Sequence, residues 1–559
     1  MLNFHTLPNL SIVFEMSDPK NPKLHILIKP QFDGAHQATG LDILLTIESL
    51  ELPEDFTVVS FPSIIKPTIF KDSFKVSDVK GELSTAYKAL NNDVGPSWVA
   101  GRQILGEVKL EYSVAPSSHK TSLSLFCDHG GLLGSGLTFI PTPSHSKTFR
   151  NIVEWDLSKA PEGTRAVWTF GEGPAAIERI GPASTLSDSV YMVGPIHSNS
   201  SSPTPGSMSD YYGYYWFGSL PQKLEVIKDM HHDFFLKICT FFEETPSARN
   251  PYRSFVRSTG SRNSFLGTSF TRSHIFDYDS RIAEAEDYDL VRRLAYEMAH
   301  NWLGPPVTSG IDWLYEGIKN CLSIYFPFRN KFRTAHYFQT TISMLCTRYY
   351  TNPLINVPHE ELLKLAPKND YAKELLSARA WAFVISMDIR TRWLAVGKMM
   401  RPVEDLAIKP FSKKRADGKA HGVEEWIEFL EPLLGEETRQ RYEDMLSGKV
   451  ILMDVRLFSG AKTHELKQVD QEILDFGVDR RSFEDGVVKG VTAGSRAEFA
   501  GLKEGDRIVK SSYLWRCVDH FEEKMNVIIE RDGVQIEIKY WPRSFEMAKS
   551  WQMVKLDEE

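Results

Sequence analysis

At 559 residues the chain is too long for a single hydrophobic core, and length alone favours several domains. A content of 42% hydrophobic and 25% charged residues is that of a folded globular protein and excludes fibrous and disordered classes. The net charge of −8, without a basic stripe, argues against nucleic acid as a partner, and no run approaches the roughly 18 apolar residues of a membrane span.

From about residue 8 to 150, short stretches such as LSIVFEM, KLHILIKP, LDILLTIESL, GEVKLEYSV and TSLSLFC alternate or run apolar between Pro, Gly, Asn and Asp. That pattern predicts strands, and together they predict an all-β sandwich. Near Trp155 the texture shifts to a mixture of strands and longer helical patterns, so the expected domains are 1–155, 156–445 and 446–559. The Ser- and Pro-rich segment 197–210 reads as a loop. From LPQKLEVIKDMHHDFFLKICTFFEE onward helices dominate to about residue 445, with NPYRSFVRS and GTSFTRSHIFDYD as interposed strands. The basic run 409–422 reads as a solvated loop between helices.

The last hundred residues return to β character. In DGVVKGVTAGSRAEFAGLKEGDRIVKSS a strand is expected to end in a turn at Ala493-Gly494-Ser495. A short helix over Ala497–Ala500 follows, stopped by Gly501 in the left-handed region, before a turn into RIVKS. This segment resembles a PDZ domain. The stretch DFGVD at 475–479 stands where such a domain captures a peptide C-terminus, but it lacks the usual glycine-rich form. Packing against the rest of the chain is the favoured role, with a peptide C-terminus as the alternative partner.

Five cysteines, Cys127, Cys239, Cys321, Cys346 and Cys517, are odd in number and show no CxxC spacing, which argues against a disulfide framework or a cysteine zinc site. The opening MLNFHTLPNLSIVFEMSDPK has neither a basic start nor a continuous apolar core. The expectation is a soluble cytoplasmic protein that spans no membrane.

The chemistry concentrates in DLVRRLAYEMAHNWLG. Its apolar residues cover most of the helical circumference, so the helix should be buried. Tyr296 and His300, at i and i+4, share one face, with Glu297 beside them. YEMAH differs by one residue from HExxH, in which two imidazoles hold one zinc and the glutamate takes a proton from metal-bound water. Downstream, WLYEGIKNCLSIYF places Glu316 on a second helical pattern.

YEMAH followed by WLYEG resembles the gluzincin metallopeptidases, whose second motif carries the third zinc ligand. The order of GGLLGSGLTFIPTP, WDLSKAP, VWTFGEGP, YWFGSLPQ and NPYRSFVR ahead of that helix, with the PDZ-like end, is similar to the glycyl aminopeptidase family, especially its fungal branch. The resemblance implies a multidomain α+β chain with an N-terminal β-sandwich, a mainly helical thermolysin-like catalytic domain and a PDZ-like C-terminal domain. It implies zinc as cofactor, with Glu297 as general base and His300 and Glu316 as metal ligands. Tyr296 stands where the first ligand belongs, and the linker 301–315 is shorter than usual in that family. Ser377 in SARAWAFVISMDIRTR matches the catalytic tyrosine that stabilises the oxyanion, with Tyr371 a poor substitute upstream. Gly267 and Thr268 match the edge strand that receives the substrate backbone.

Neutral phenol, with a pKa near 10, is a poor zinc ligand unless the metal draws off its proton. Three readings therefore stand. First is an aminopeptidase-like hydrolase of reduced or redirected activity, with Tyr296 as phenolate or with His274 supplying an imidazole. Second is a metal-independent acid/base enzyme using Glu297, His300 and Tyr296 on a small organic substrate. Third is a non-catalytic pseudopeptidase that binds partners.

Overall fold

The computed structural model describes residues 21–48, 52, 56–62, 73–89, 95–118, 121–144, 147–200, 210–259, 266–303, 312–394, 408, 423–453 and 464–555. The expected strand LSIVFEM, most of the Ser- and Pro-rich loop, the basic run 409–422 and the centre of the linker before Glu316 lie outside the described residues. The chain forms two compact units. One comprises Met1–Ser219, Ser247–Arg257 and Phe270–Ile275, and the other Leu220–Pro246, Ser258–Ser269 and Phe276–Glu559.

The first unit is β-rich. Strand Lys23–Phe32 alternates buried and partly exposed residues, as expected of a strand with one face in a core. It pairs antiparallel with Ala38–Ile47, Ile26 facing Leu45 and Ile28 facing Ile43, and parallel with Thr148–Trp155. These strands belong to a seven-stranded sheet that also takes Ile177–Pro182 and Val108–Val114, so strands on both sides of residue 155 pair within it. In a five-stranded sheet, Val190–Gly194 and Gly131–Ser135 are buried along their whole length. TSLSLFC contributes less strand than its pattern suggests: only Phe126–Asp128 pairs, because residues 122–123 form a turn.

The second unit is mainly helical. Four helices frame the site: α1 (Asp287–Ala299), α2 (Asp312–Arg329), α3 (Ala335–Tyr350) and α4 (Asp370–Leu394). Asp287 in the first turn of α1 suits its positive N-terminal end. Leu290, Val291, Leu294, Ala295, Met298 and Ala299 are buried, so the apolar period of the sequence is realised. Gly317 explains its place in WLYEG, since a Cβ there would meet the Ala380 carbonyl oxygen on α4 at 2.5 Å. Only a bare backbone lets α2 approach α4 this closely.

Towards the C-terminus the unit returns to β structure. A three-stranded sheet, Arg507–Ser511, Met525–Arg531 and Val534–Tyr540, closes over Phe476, Phe483, Leu502 and Ile508. The helix expected over Ala497–Ala500 runs Arg496–Phe499, capped by the Ser495 hydroxyl, and Gly501 is left-handed at φ +96°. The strand expected before Ala493 is reduced to a single bridge, Val487 to Arg507, because residues 488–492 bond singly to Gly477, Asp479, Ser482, Glu504, Gly505 and Asp506 rather than in a ladder. A ribbon of His464–Leu474 and Arg543–Lys555 packs on α3, where Gln552 donates to the Thr347 hydroxyl at 3.0 Å. Among the described residues no helix is long and apolar enough to cross a membrane.

Candidate functional site

The last turn of α1 and the first turns of α2 build the site. Tyr296 and His300 stack edge to face, ring centroids 5.2 Å apart, as their i, i+4 spacing requires. The Tyr296 hydroxyl donates a hydrogen bond to Glu316 Oε2 across the two helices. Burial pushes the Tyr296 phenol well above its ordinary value, and the Glu316 carboxylate pushes it further. It is therefore a neutral donor.

The group that completes the cluster is Lys319, one turn after Glu316. Its ammonium donates to Glu316 Oε1 and lies 2.8 Å from His300 Nε2. It also sits 5.2 Å from the centre of the Tyr296 ring. An ammonium has donors only, so the imidazole nitrogen it meets is the acceptor. Lys319 is 3% exposed, and a buried ammonium needs such partners to offset its lost hydration. The outer edge of the cluster is open, for the Glu316 side chain is 35% exposed and Tyr296 and His300 are partly so.

Glu297 points elsewhere. It is 3% exposed, its carboxylate accepts from the Ser269 hydroxyl, and burial raises its pKa. Gly267 and Thr268 lie on Leu266–Phe270, the edge strand of a five-stranded sheet. Gly267 covers the Glu297 carboxylate so closely that a Cβ would stand 2.2 Å from Oε1.

Ser377, on α4, accepts a hydrogen bond of 3.1 Å from Asn320, which also donates to the Glu316 carbonyl. Tyr371 is committed elsewhere, its hydroxyl accepting from the Phe476 backbone. His274, a candidate for the missing imidazole, does not serve as one. Tyr252 and Ser254 hold its Nδ1 and Nε2 at 2.8 and 2.9 Å, and burial brings its pKa down to about 3, so it is a structural histidine.

The residues present do not fit zinc. Of the three positions that match metal ligands, Tyr296 keeps its proton, while His300 and Glu316 turn their donor atoms to an ammonium. A divalent cation would have to displace that ammonium and would repel it. Among the described residues no three His, Cys, Asp or Glu side chains are grouped to hold a metal.

Beside the cluster, α1 carries a second buried acid. Asp289 is 2% exposed, neither carboxylate oxygen has a hydrogen-bond partner, and burial pushes its pKa up to about 7 despite nearby Arg292. A carboxyl whose pKa rises on folding stabilises the fold fully below its unfolded value of 3.8, and this is lost as pH rises through 7. Asp289→Asn should therefore gain stability relative to the parent between pH 4.5 and 7.5, by on the order of 3 kcal/mol. Urea midpoints at the two pH values check this, and a pH-independent difference would contradict it.

No protein-family model and no curated protein matches the chain. Among solved structures, the aminopeptidase N family protein from Idiomarina loihiensis shares 14% identity and a TM-score of 0.66, over 95% of this chain and 98% of that one. The M1 zinc metallopeptidase from Deinococcus radiodurans follows with 13% identity and a TM-score of 0.46, over 78% and 95%. Native yeast LTA4 hydrolase matches with 14% identity and a TM-score of 0.47, over 79% and 71%. The first likeness is one of fold and spans nearly the whole of both chains: a multidomain α+β chain with a β-rich N-terminal part and a helical part.

Proposed function

We propose that this chain uses an aminopeptidase-type scaffold without zinc, its site redirected from metal-assisted hydrolysis to proton transfer on a small organic substrate. The observation that carries the reading is the Lys319 ammonium, 2.8 Å from His300 Nε2 and bonded to Glu316. In this reading Lys319 is the fixed positive charge, prepared to stabilise an anion that develops beside it. Glu316 and His300, partly open to solvent, accept and return the proton, and the neutral Tyr296 hydroxyl donates a hydrogen bond. Glu297, the general base of the resembling family, is 3% exposed, and the Ser269 hydroxyl holds its carboxylate.

A non-catalytic binding role is the second reading, favoured by the burial of Glu297 beneath Gly267. The segment 446–559 is read as PDZ-like, with a peptide C-terminus as its partner and a cytoplasmic setting, and the catalytic part of the expected segment 156–445 is read as its helical stretch from Leu220 onward.

Metal analysis of the purified full chain separates these readings from an altered zinc hydrolase of glycyl aminopeptidase type. We expect zinc far below one per chain and no chelator-sensitive hydrolysis of Gly or Ala arylamides. Deuterium uptake from D2O into a panel of small carbon acids should survive chelator and vanish in Lys319→Met. Stoichiometric zinc with chelator-sensitive arylamide hydrolysis would overturn the proposal, and exchange unchanged in Lys319→Met would remove the lysine from it.

A further inference from the structure

We propose that the cavity next to Tyr296 is an anion site that seats the carboxylate of a small organic acid, with the rest of that molecule over the Lys319 cluster. This rests on the metal-independent reading above and supplies its substrate class. The cavity, about 90 Å³, is lined by Arg292, Arg293, Tyr296, Asn320, Arg348 and Ser377. A volume of that order holds a few water-sized groups, enough for a carboxylate with its first carbon but not for a peptide backbone.

The lining is rich in donors and positive charge. Arg292 and Arg348 share one carboxylate, Asp519, at 3.3 and 2.7 Å. Arg293 has no ion-pair partner among the described residues. Arg292 is 8% exposed, and its buried Nε has no hydrogen-bond partner. Three guanidinium groups thus line one cavity while the ion pairs of Arg292 and Arg348 fall on a single fully buried carboxylate, and Asp289 compensates little because burial favours its neutral form.

An unpartnered buried guanidinium donor is costly, and a planar oxyanion is the ligand whose shape matches guanidinium forks. The Ser377 hydroxyl accepts from Asn320 and keeps its own proton to donate into the same space. Tyr296 belongs to both places, lining the cavity and bonding Glu316. A carboxylate held by the arginines therefore leaves its adjoining carbon next to the groups proposed to move a proton.

The test is calorimetric binding to the full-length chain at constant ionic strength, with propionate, propionamide and inorganic phosphate as probes. Saturable binding of propionate, none of propionamide and weaker binding of phosphate are expected. Arg293→Ala should weaken propionate by about tenfold, the loss of one charge-assisted contact, while Arg293→Lys keeps most of the affinity. Arg293 makes no ion pair among the described residues, so its loss should leave the fold intact, which circular dichroism checks. Equal affinity of parent and Arg293→Ala, propionamide binding as tightly as propionate, or no saturable propionate binding would each overturn the site. Phosphate binding tenfold tighter than propionate would overturn the carboxylate assignment. Arg293 bonds neither Lys319 nor His300, so zinc at one per chain would sink the metal-independent reading while anion binding could persist.

Discussion

Zinc binding should appear only when Lys319→Ala and Tyr296→His are combined. Tyr296→His alone supplies a third imidazole or carboxylate donor, but the Lys319 ammonium still occupies the donor atoms of His300 and Glu316. Lys319→Ala alone frees those atoms yet leaves a protonated phenol in the third position. The double variant has three protein ligands and an open fourth position, the donor set of a catalytic zinc site. Atomic absorption should find zinc near one per chain in the double variant and near zero in each single one. Stoichiometric zinc in Tyr296→His alone would show that Lys319 does not hold the site.

The same series has a stability signature. Removing one partner of a buried ion pair costs about 3–5 kcal/mol, and the partial exposure of Glu316 places Lys319→Ala near or below the lower end, at about 2–3 kcal/mol. Because zinc binds the folded double variant and not its unfolded chain, added metal should raise that midpoint and leave the parent unmoved. Thermal unfolding with and without zinc measures both.

Gly267→Ala should destabilise the parent by about 1–3 kcal/mol, the usual cost of forcing a methyl into a filled space. The new Cβ would stand 2.2 Å from Glu297 Oε1 and 2.3 Å from its Cγ, so the side chain must leave its bond with Ser269. In a Glu297→Ala background those atoms are absent, and the Ser269 hydroxyl keeps its 3.1 Å bond to the Glu297 backbone oxygen. The glycine substitution should then cost little, giving a coupling on the order of 1–2 kcal/mol in a double-mutant cycle. Additive effects would mean that Gly267 does not lie against Glu297.

The residues that meet in the site differ in how readable they were. The i, i+4 step from Tyr296 to His300 and the apolar period around it follow from 3.6 residues per turn, and α1 realises both. Glu316 on a second helix was equally legible from WLYEG. Lys319 stood in the open, three residues after Glu316 in a mostly apolar run, a spacing that suits an exposed i, i+3 ion pair. Nothing in that spacing says that the pair is buried against His300, 19 residues earlier.

The arginine cavity is further from view. It joins adjacent residues of α1 to Asn320, Arg348 and Ser377 on three other helices, with Asp519 more than 200 residues from Arg292. His274 shows the converse, since TRSHIFDY suits a structural histidine but does not name Tyr252 and Ser254, which fill both ring nitrogens.

By itself, then, the sequence determined most of the helices and strands and the face on which Tyr296 and His300 stand. Those properties depend on residues within a turn or two of one another. Tertiary packing alone decided that an ammonium lies between His300 and Glu316, that Gly267 lies against Glu297, and that three guanidinium groups share one cavity. Burial sets the charge state and reach of each group, and burial is created by partners that local patterning does not name.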